Sequence, residues 1–286
     1  MAPDITDARP LQIRIADDLR ALIETRRLAP GSQLPTLGEL SRVYACSLAA
    51  ARKAVELLRQ QGLVNSVQGR GTFVRVTTPR TARSNHRYQE EKDLVGLSES
   101  ERRRRQGDDP ELGVSSAAPR LSVYYDEVHA GDLAEVFGID RLTVLVRRSY
   151  ETTEPISGRR RSWRVSYLPR VLIETNPALL DPSREPWPGG TQHQLSTVGV
   201  EIVRVVDAVV ASMPTTADAQ LWNLDDGVPL LHVRRVCSDT SGRIVEVSDI
   251  DYPADTTELL FTTTLRAWTA PTTGRDWADL RAALAH

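Results

Sequence analysis

The stretch "PGSQLPTLGELSRVYACSLAAARKAVELLRQQGLVNSVQGRGTFV", Pro30 to Val74, decides how the front of this 286-residue chain folds. Its signals come in a fixed order. Pro30-Gly31 marks a turn. Thr36 is followed three residues later by Glu39, the spacing of a capping box, so a short helix starts there and runs to about Tyr44. Ser47 can cap a further helix whose Ala51, Ala54, Val55 and Leu58 share one face. Gly62 stands where glycine favours a helix end. Two short apolar runs, near 63–67 and 72–76, then flank Gln68-Gly69-Arg70-Gly71, which reads as a hairpin. Upstream, Leu11, Ile15, Leu19 and Leu22/Ile23 recur at helical spacing, so a helix is expected from Pro10 to about Thr25.

Helices joined by a tight turn and followed by a hairpin describe a winged helix-turn-helix. The arginine between two glycines fits that reading. Glycine permits positive φ and a close backbone approach, while arginine brings charge to a narrow, negative minor groove. The local charge agrees: residues 1–77 carry eleven Arg/Lys against seven acids, a net +4, whereas residues 78–120 carry +1 and residues 121–286 carry −7. A basic head on an acidic body points to an anionic partner for the head alone.

The quoted stretch resembles the DNA-binding domain of GntR-family bacterial transcription regulators. It shares PGxxLPT, the two helices, the L-x-x-x-G-L helix end and QGRGTFV. The resemblance implies double-stranded DNA as partner and contacts from Thr36, Ser47, Leu48, Ala49, Arg52, Gln68, Gly69, Arg70 and Gly71. Two positions depart from the family. Leu48 and Gly38 stand where members often carry a basic residue, so the guanine contact an arginine makes is not available at Leu48. Cys46 replaces a buried valine and is expected as a small core residue.

After the head the composition changes. Residues 78–119 are polar and charge-dense and read as a linker. The four arginines Arg102 to Arg105 are flanked by acids, as on a solvated helix. From residue 120 the alternation in "TVLVRRSY", "EIVRVVDAVVA", "PLLHVRRVCSD", "GRIVEVSDIDY" and "TELLFTTTL" predicts strands, with helical pieces near 131–137, 170–180, 191–198 and 214–222. The fold class expected is α+β: a winged helix-turn-helix over 10–77, then a mixed, mostly antiparallel sheet with helices over 120–268, and a tail of unassigned role at 269–286.

The second half is similar to a UTRA domain, the ligand-binding half of the HutC subfamily. "TVLVRRSYETTEPI", "SYLP" and the run from Met213 to Leu259 carry that similarity. It implies a chorismate-lyase-like fold that binds a small effector, often an anionic one, without turning it over. Aligned on Pro155 and on Ser166-Tyr167-Leu168-Pro169, the resemblance assigns effector contact to Arg147, Ser149, Arg164, Ser166, Glu246 and Tyr252. Ser149 stands in place of a second arginine and Arg164 in place of a glutamate. A narrower likeness, carried by "EPWPGGTQHQLSTVGVE", is to actinobacterial members linked to plasmid-transfer control. Gly189-Gly190-Thr191 reads as a turn into a helix; its free amides also suit an anion.

Other chemistry has no signature. The five histidines show no HxxxH or HExxH spacing, so no metal site is expected. There is no GxSxG, phosphate-loop or dinucleotide motif, and no lysine follows Lys92 to hold pyridoxal phosphate, so no cofactor is expected. Cys46 and Cys237 form no CxxC, and no apolar run is long enough for a membrane span, which places the chain in the cytoplasm. The expectation is a non-enzymatic, homodimeric repressor of a palindromic operator, controlled by a small-molecule effector. The alternatives are a ligand-independent plasmid-transfer repressor and a lyase-like enzyme tethered to DNA.

Overall fold

The computed structural model describes residues 9–76, 80–107 and 119–265. The head opens with α1 (Leu11–Glu24), followed by α2 (Leu37–Val43) and α3 (Leu48–Gln60). Then β1 (Val64–Val67) and β2 (Gly71–Val74) pair as an antiparallel hairpin. The capping box expected at Thr36 forms, with Glu39 N–H donating to Thr36 Oγ1 at 3.3 Å and Thr36 N–H to Glu39 Oε2 at 2.7 Å. Ser47 Oγ caps α3 by accepting from Ala50 N–H at 3.2 Å. One apolar cluster closes the head: Ile15 and Leu19 of α1, Leu40 of α2 and Ala51, Ala54 and Leu58 of α3 meet Val64 and Val74 of the hairpin. Cys46 packs at its edge, as a small core residue should.

The segment read as a linker is largely folded. It contains β3 (Thr81–Ser84), α4 (Arg87–Asp93) and α5 (Glu99–Gly107). Lys92 Nζ ion-pairs with Glu201 at 2.8 Å and donates to Ile202 O at 2.9 Å, which ties α4 to the body. Arg103, Arg104 and Arg105 are exposed on α5, as on a solvated helix, while Lys92 of α4 is used against the body.

The body is built on β4 (Arg120–His129), β5 (Val144–Thr153), β6 (Arg160–Pro169), β7 (Ile202–Ser212), β8 (Leu230–Asp239) and β9 (Ile244–Pro253). All neighbours are antiparallel, in the order β4-β5-β6-β9-β8-β7. Two of these strands, β4 and β6, are absent from the sequence-based reading. The "TELLFTTTL" strand shortens to β10 (Thr257–Leu260) and leaves the main sheet to pair in parallel with β3. Among the helices, α6 (Leu133–Phe137) covers one end of one sheet face, meeting Leu145 and Val247. Helices α7 (Arg170–Ile173) and α8 (Gly190–Ser196), with two 3-10 turns between them, cover part of the other face. The last helix among the described residues, α9 (Thr216–Trp222), bridges β7 and β8. The tail from 269 lies outside the described residues.

Head and body are joined by charge. Arg59 at the end of α3 contacts Asp226 at 2.9 Å. Arg75, just past β2, meets Asp225 at 3.1 Å and also Asp255, which Arg159 holds at 2.7 Å. Between these pairs the backbones touch: a Cβ on Gly227 would lie 2.5 Å from Gly62 N and 2.6 Å from Gln60 O.

Candidate nucleic-acid interface and effector cavity

Residues Thr36, Ser47, Leu48, Ala49 and Arg52 lie on the exposed side of α2 and α3, and Leu48 is 57% exposed. An apolar residue left in water at the start of a helix has no packing role there. Gln68, Gly69, Arg70 and Gly71 are all exposed at the tip of the hairpin. The tip is held from behind by a residue the sequence reading missed. Gln33 Nε2 donates to Arg70 O at 3.1 Å. Gly71 has φ +116°, and a Cβ there would come within 2.5 Å of Gln33 Nε2. Gly71 and Gly69, at φ +116° and +73°, are both required by backbone conformation; a Cβ on Gly71 would in addition push aside the end of the Gln33 side chain, whereas Gly69 has open space around it.

The second site is a cavity of about 210 Å³ on one face of the body sheet. Strand alternation decides which residues reach it. On β5 it is Tyr150 and Thr152; on β6 Ser162 and Arg164; on β9 Glu246, Ile250 and Tyr252; on β8 Val233, Arg235 and Cys237. Segment 83–91, expected as linker, supplies one wall with Arg83, Tyr88 and Glu91.

Two expected effector residues are not there. Arg147 and Ser149 point to the opposite sheet face, where Arg147 Nε donates to Asp126 Oδ1 at 2.8 Å. A strand has a period of two, so an alignment displaced by one residue selects the wrong face. The arginine on the cavity side is Arg148. It is 1% exposed, donates to Gln194 Oε1 at 2.6 Å and Leu179 O at 2.7 Å, and stacks on Tyr125. It supports the site from beneath and does not line it.

Of the other four, Arg164, Glu246 and Tyr252 line the cavity, whereas Ser166, 1% exposed, lies behind it and reaches it only through Glu246. Glu246 Oε1 accepts from Arg164 Nη2 at 2.7 Å, from Ser166 Oγ at 2.5 Å and from Ser248 Oγ at 3.0 Å. Burial opposes the charge of Glu246, but Arg164 and the two hydroxyl donors outweigh it and hold its pKa below the ordinary carboxylate value. Tyr252 lies under the Arg83 guanidinium, 4.1 Å from ring centre. Around them stand groups the sequence did not mark. Asp207 on β7 binds Arg235 at 2.9 Å and also accepts from Tyr88 of α4. Glu185 Oε1 accepts from Tyr125 at 2.6 Å, Tyr150 at 3.1 Å and Gln194 at 2.7 Å. Burial first, and Glu185 second, push Tyr150 up to about 12, so it stays a neutral donor. Cys237 is buried with its thiol raised by the same desolvation, which leaves it a packing residue. Among the described residues no three His, Cys, Asp or Glu side chains gather as a metal site, and no helix is long and apolar enough to cross a membrane.

Comparison with known proteins agrees with both halves. The profile of the bacterial regulatory proteins of the gntR family matches residues 11–74, and that of the UTRA domain matches residues 123–258. Over 258 residues the chain is 27% identical to an HTH-type transcriptional regulator of Streptomyces coelicolor, covering 86% of this chain and 88% of that one. A 67-residue stretch of this chain is 37% identical to the mannosyl-D-glycerate transport/metabolism system repressor of Escherichia coli, a match that spans 23% of this chain and 28% of the repressor. A crystal structure described as a GntR-family transcriptional regulator superposes with a TM-score of 0.63 at 22% identity, covering 90% of this chain and 99% of that one, which shows a shared fold. With its helix-turn-helix head and its UTRA body, the chain belongs to the GntR family as a DNA-binding transcription regulator.

Proposed function

We propose that the protein is a homodimeric cytoplasmic repressor that binds a two-fold symmetric operator and is released or recruited by a small effector in the body cavity. The observation that carries the reading is the pairing of an exposed α3 start with a hairpin tip that presents Arg70. In this reading α3 enters the major groove, Ser47 and Arg52 contact phosphate or base edges, and Leu48 touches a thymine methyl. Thr36, Ala49 and Gln68 lie against the backbone, and Gly69-Arg70-Gly71 follows the minor groove. Arg164, Glu246 and Tyr252 hold the effector, with Ser166 acting through Glu246. The similarity of a 67-residue stretch to a repressor supports that sense of regulation.

The cavity's own architecture supports control. The wall made by β3 and α4 is the chain segment that runs directly to the head, so a ligand that moves Tyr88 or Arg83 moves the head's attachment. Coupling needs different ligand affinity in the two head arrangements. Purified protein titrated with fluorescent DNA from upstream of its own gene should give tight, salt-sensitive binding with a stoichiometry of two chains per duplex. One chain per duplex, or binding insensitive to salt, would overturn the dimer or the phosphate contacts respectively.

A further inference from the structure

We infer that the cavity selects a small ligand with no net charge, bearing hydroxyl or amide groups at one end and an apolar body at the other. The inference rests on reading the cavity as the effector site, and it departs from the anionic effector that resemblance alone suggests.

The first ground is charge balance. Four arginines line the wall, Arg83, Arg87, Arg164 and Arg235, and so do four carboxylates, Glu91, Glu185, Asp207 and Glu246. Three of each are matched locally; of the remaining two, Arg83 lies against the Tyr252 ring and Glu185 accepts from Tyr125, Tyr150 and Gln194. Arg164 binds Glu246 at 2.7 Å, Arg235 binds Asp207 at 2.9 Å and Arg87 binds Glu91 at 2.9 Å. The cation that resemblance assigns to an anionic effector, Arg147, is on the other sheet face. The start of α8 is no vacant anion site either, because a Cβ on Gly190 would lie 3.3 Å from the Glu91 carboxylate. An anion that takes Arg164 or Arg235 must separate a buried arginine from its carboxylate and leave that carboxylate uncompensated.

The second ground is what the wall still offers. Glu246 is 2% exposed, and all three of its donors go to Oε1; Oε2 has none among the described residues. The Gln192 side chain, 8% exposed, lines the cavity with no hydrogen-bond partner among the described residues. An ionised carboxylate oxygen asks for a hydroxyl or N–H donor and repels an anion. Across the sheet the character changes. One row runs Val209, Val233, Ile250 and Arg164, so three apolar side chains lead to the polar end. The volume, about 210 Å³, is below the ~300–1,000 Å³ of drug-sized sites and suits a small amphipathic molecule.

Three probes test this on the full chain by calorimetry and thermal melting: hexyl β-D-glucopyranoside, glucose 6-phosphate and inorganic phosphate. The glucoside is neutral, with hydroxyls and a short apolar tail. It should bind saturably and at least tenfold tighter than either anion, with a melting temperature that rises with its concentration. Tighter binding of glucose 6-phosphate or phosphate, or no binding of the glucoside, overturns the inference. Glu246→Gln leaves Arg164 without its counter-charge, so this variant should lose the glucoside and gain phosphate; unchanged preference overturns the charge argument. Asp207→Asn, which unpairs Arg235 instead, repeats the test at a site that is not fully buried. Operator binding is measured in parallel. A chain that binds its operator but not the glucoside keeps the regulator reading and loses this inference. One that binds the glucoside but no DNA does the reverse.

Discussion

Arg70 is placed by its neighbours more than by its own contacts. Gln33 holds its carbonyl from one side, and the positive φ of Gly69 and Gly71 turns the chain so that the side chain leaves the hairpin. Gly71→Ala adds a Cβ at 2.5 Å from Gln33 Nε2 in a backbone conformation that alanine avoids. We expect this variant to weaken DNA binding at least as much as Arg70→Ala does, because the tip as a whole is displaced; affinity equal to wild type would show that the tip does not touch DNA. Leu48 supplies a second prediction. Leu48→Arg places a bidentate donor where the chain now has an alkyl group, so an operator variant with guanine at that position should gain about 1–3 kcal/mol over thymine, as read by competition binding. The tripeptide at the tip was legible in the sequence because glycine and arginine carry their reasons with them. Gln33 was not, since its role depends on a contact thirty-seven residues away. The displaced assignment of Arg147 has the same origin: the choice between Arg147 and Arg148 is a choice of sheet face, which one residue of misalignment reverses.

At the scale of elements, local signals and long-range ones fared differently. The three head helices have apolar faces in their own sequence, α2 and α3 have side-chain caps as well, and the structure places all three within one or two residues of expectation. Ser47 alone satisfies an α3 amide, and Ser47→Ala should cost about 1 kcal/mol of stability, measured by denaturant unfolding. Strand β6 is absent from the sequence reading, and its first half, Arg160 to Arg164, is dense in charge. In the fold its arginines are used: Arg160 binds Glu151 at 2.6 Å and lies against the rings of Trp163 and Trp222. The pairing partner of a charged strand is not visible in its own residues. The polar end of the cavity makes a pH prediction. Folding lowers the pKa of Glu246, so its ionised form contributes stability above the unfolded value, near ~4.3, and that contribution disappears as pH falls through the lower folded value. Thermal melts from about pH 7 down to about pH 3 should therefore fall more steeply for wild type than for Glu246→Gln. Parallel curves would mean that Glu246 is not held ionised.

The whole molecule joins a basic head to an acidic body, and that asymmetry has a use inside the chain. Arg59 and Arg75 of the head are held by Asp225, Asp226 and Asp255 of the body, around the close passage of Gly227 beside Gly62. Exposed pairs such as Arg59–Asp226 contribute little each and weaken with salt. The backbone contact is short-range and does not. Gly227→Ala puts a Cβ against Gly62 N and Gln60 O, so it should open the head from the body, seen as a larger radius of gyration in small-angle scattering; an unchanged radius would show that the two units are already separate in solution. The opening also separates the linker wall of the cavity from the head. The polar, charge-dense composition of 78–119 predicts a linker, yet Arg83, Tyr88 and Glu91 from within it line the cavity. Domain order was legible because each half carries its own pattern; the joint between them was not, because it consists of ion pairs whose partners lie far apart in sequence.

Whether this chain reads DNA through α3 and the Arg70 hairpin is decided by anisotropy titration of wild type and Arg70→Ala against DNA from upstream of its own gene across a salt series. Wild type should bind tightly, with an affinity that falls steeply with salt. Arg70→Ala should bind more weakly, with a log–log salt slope shallower by about 0.9 for the lost phosphate contact. Equal affinities and equal slopes for the two proteins would show that Arg70 does not meet DNA.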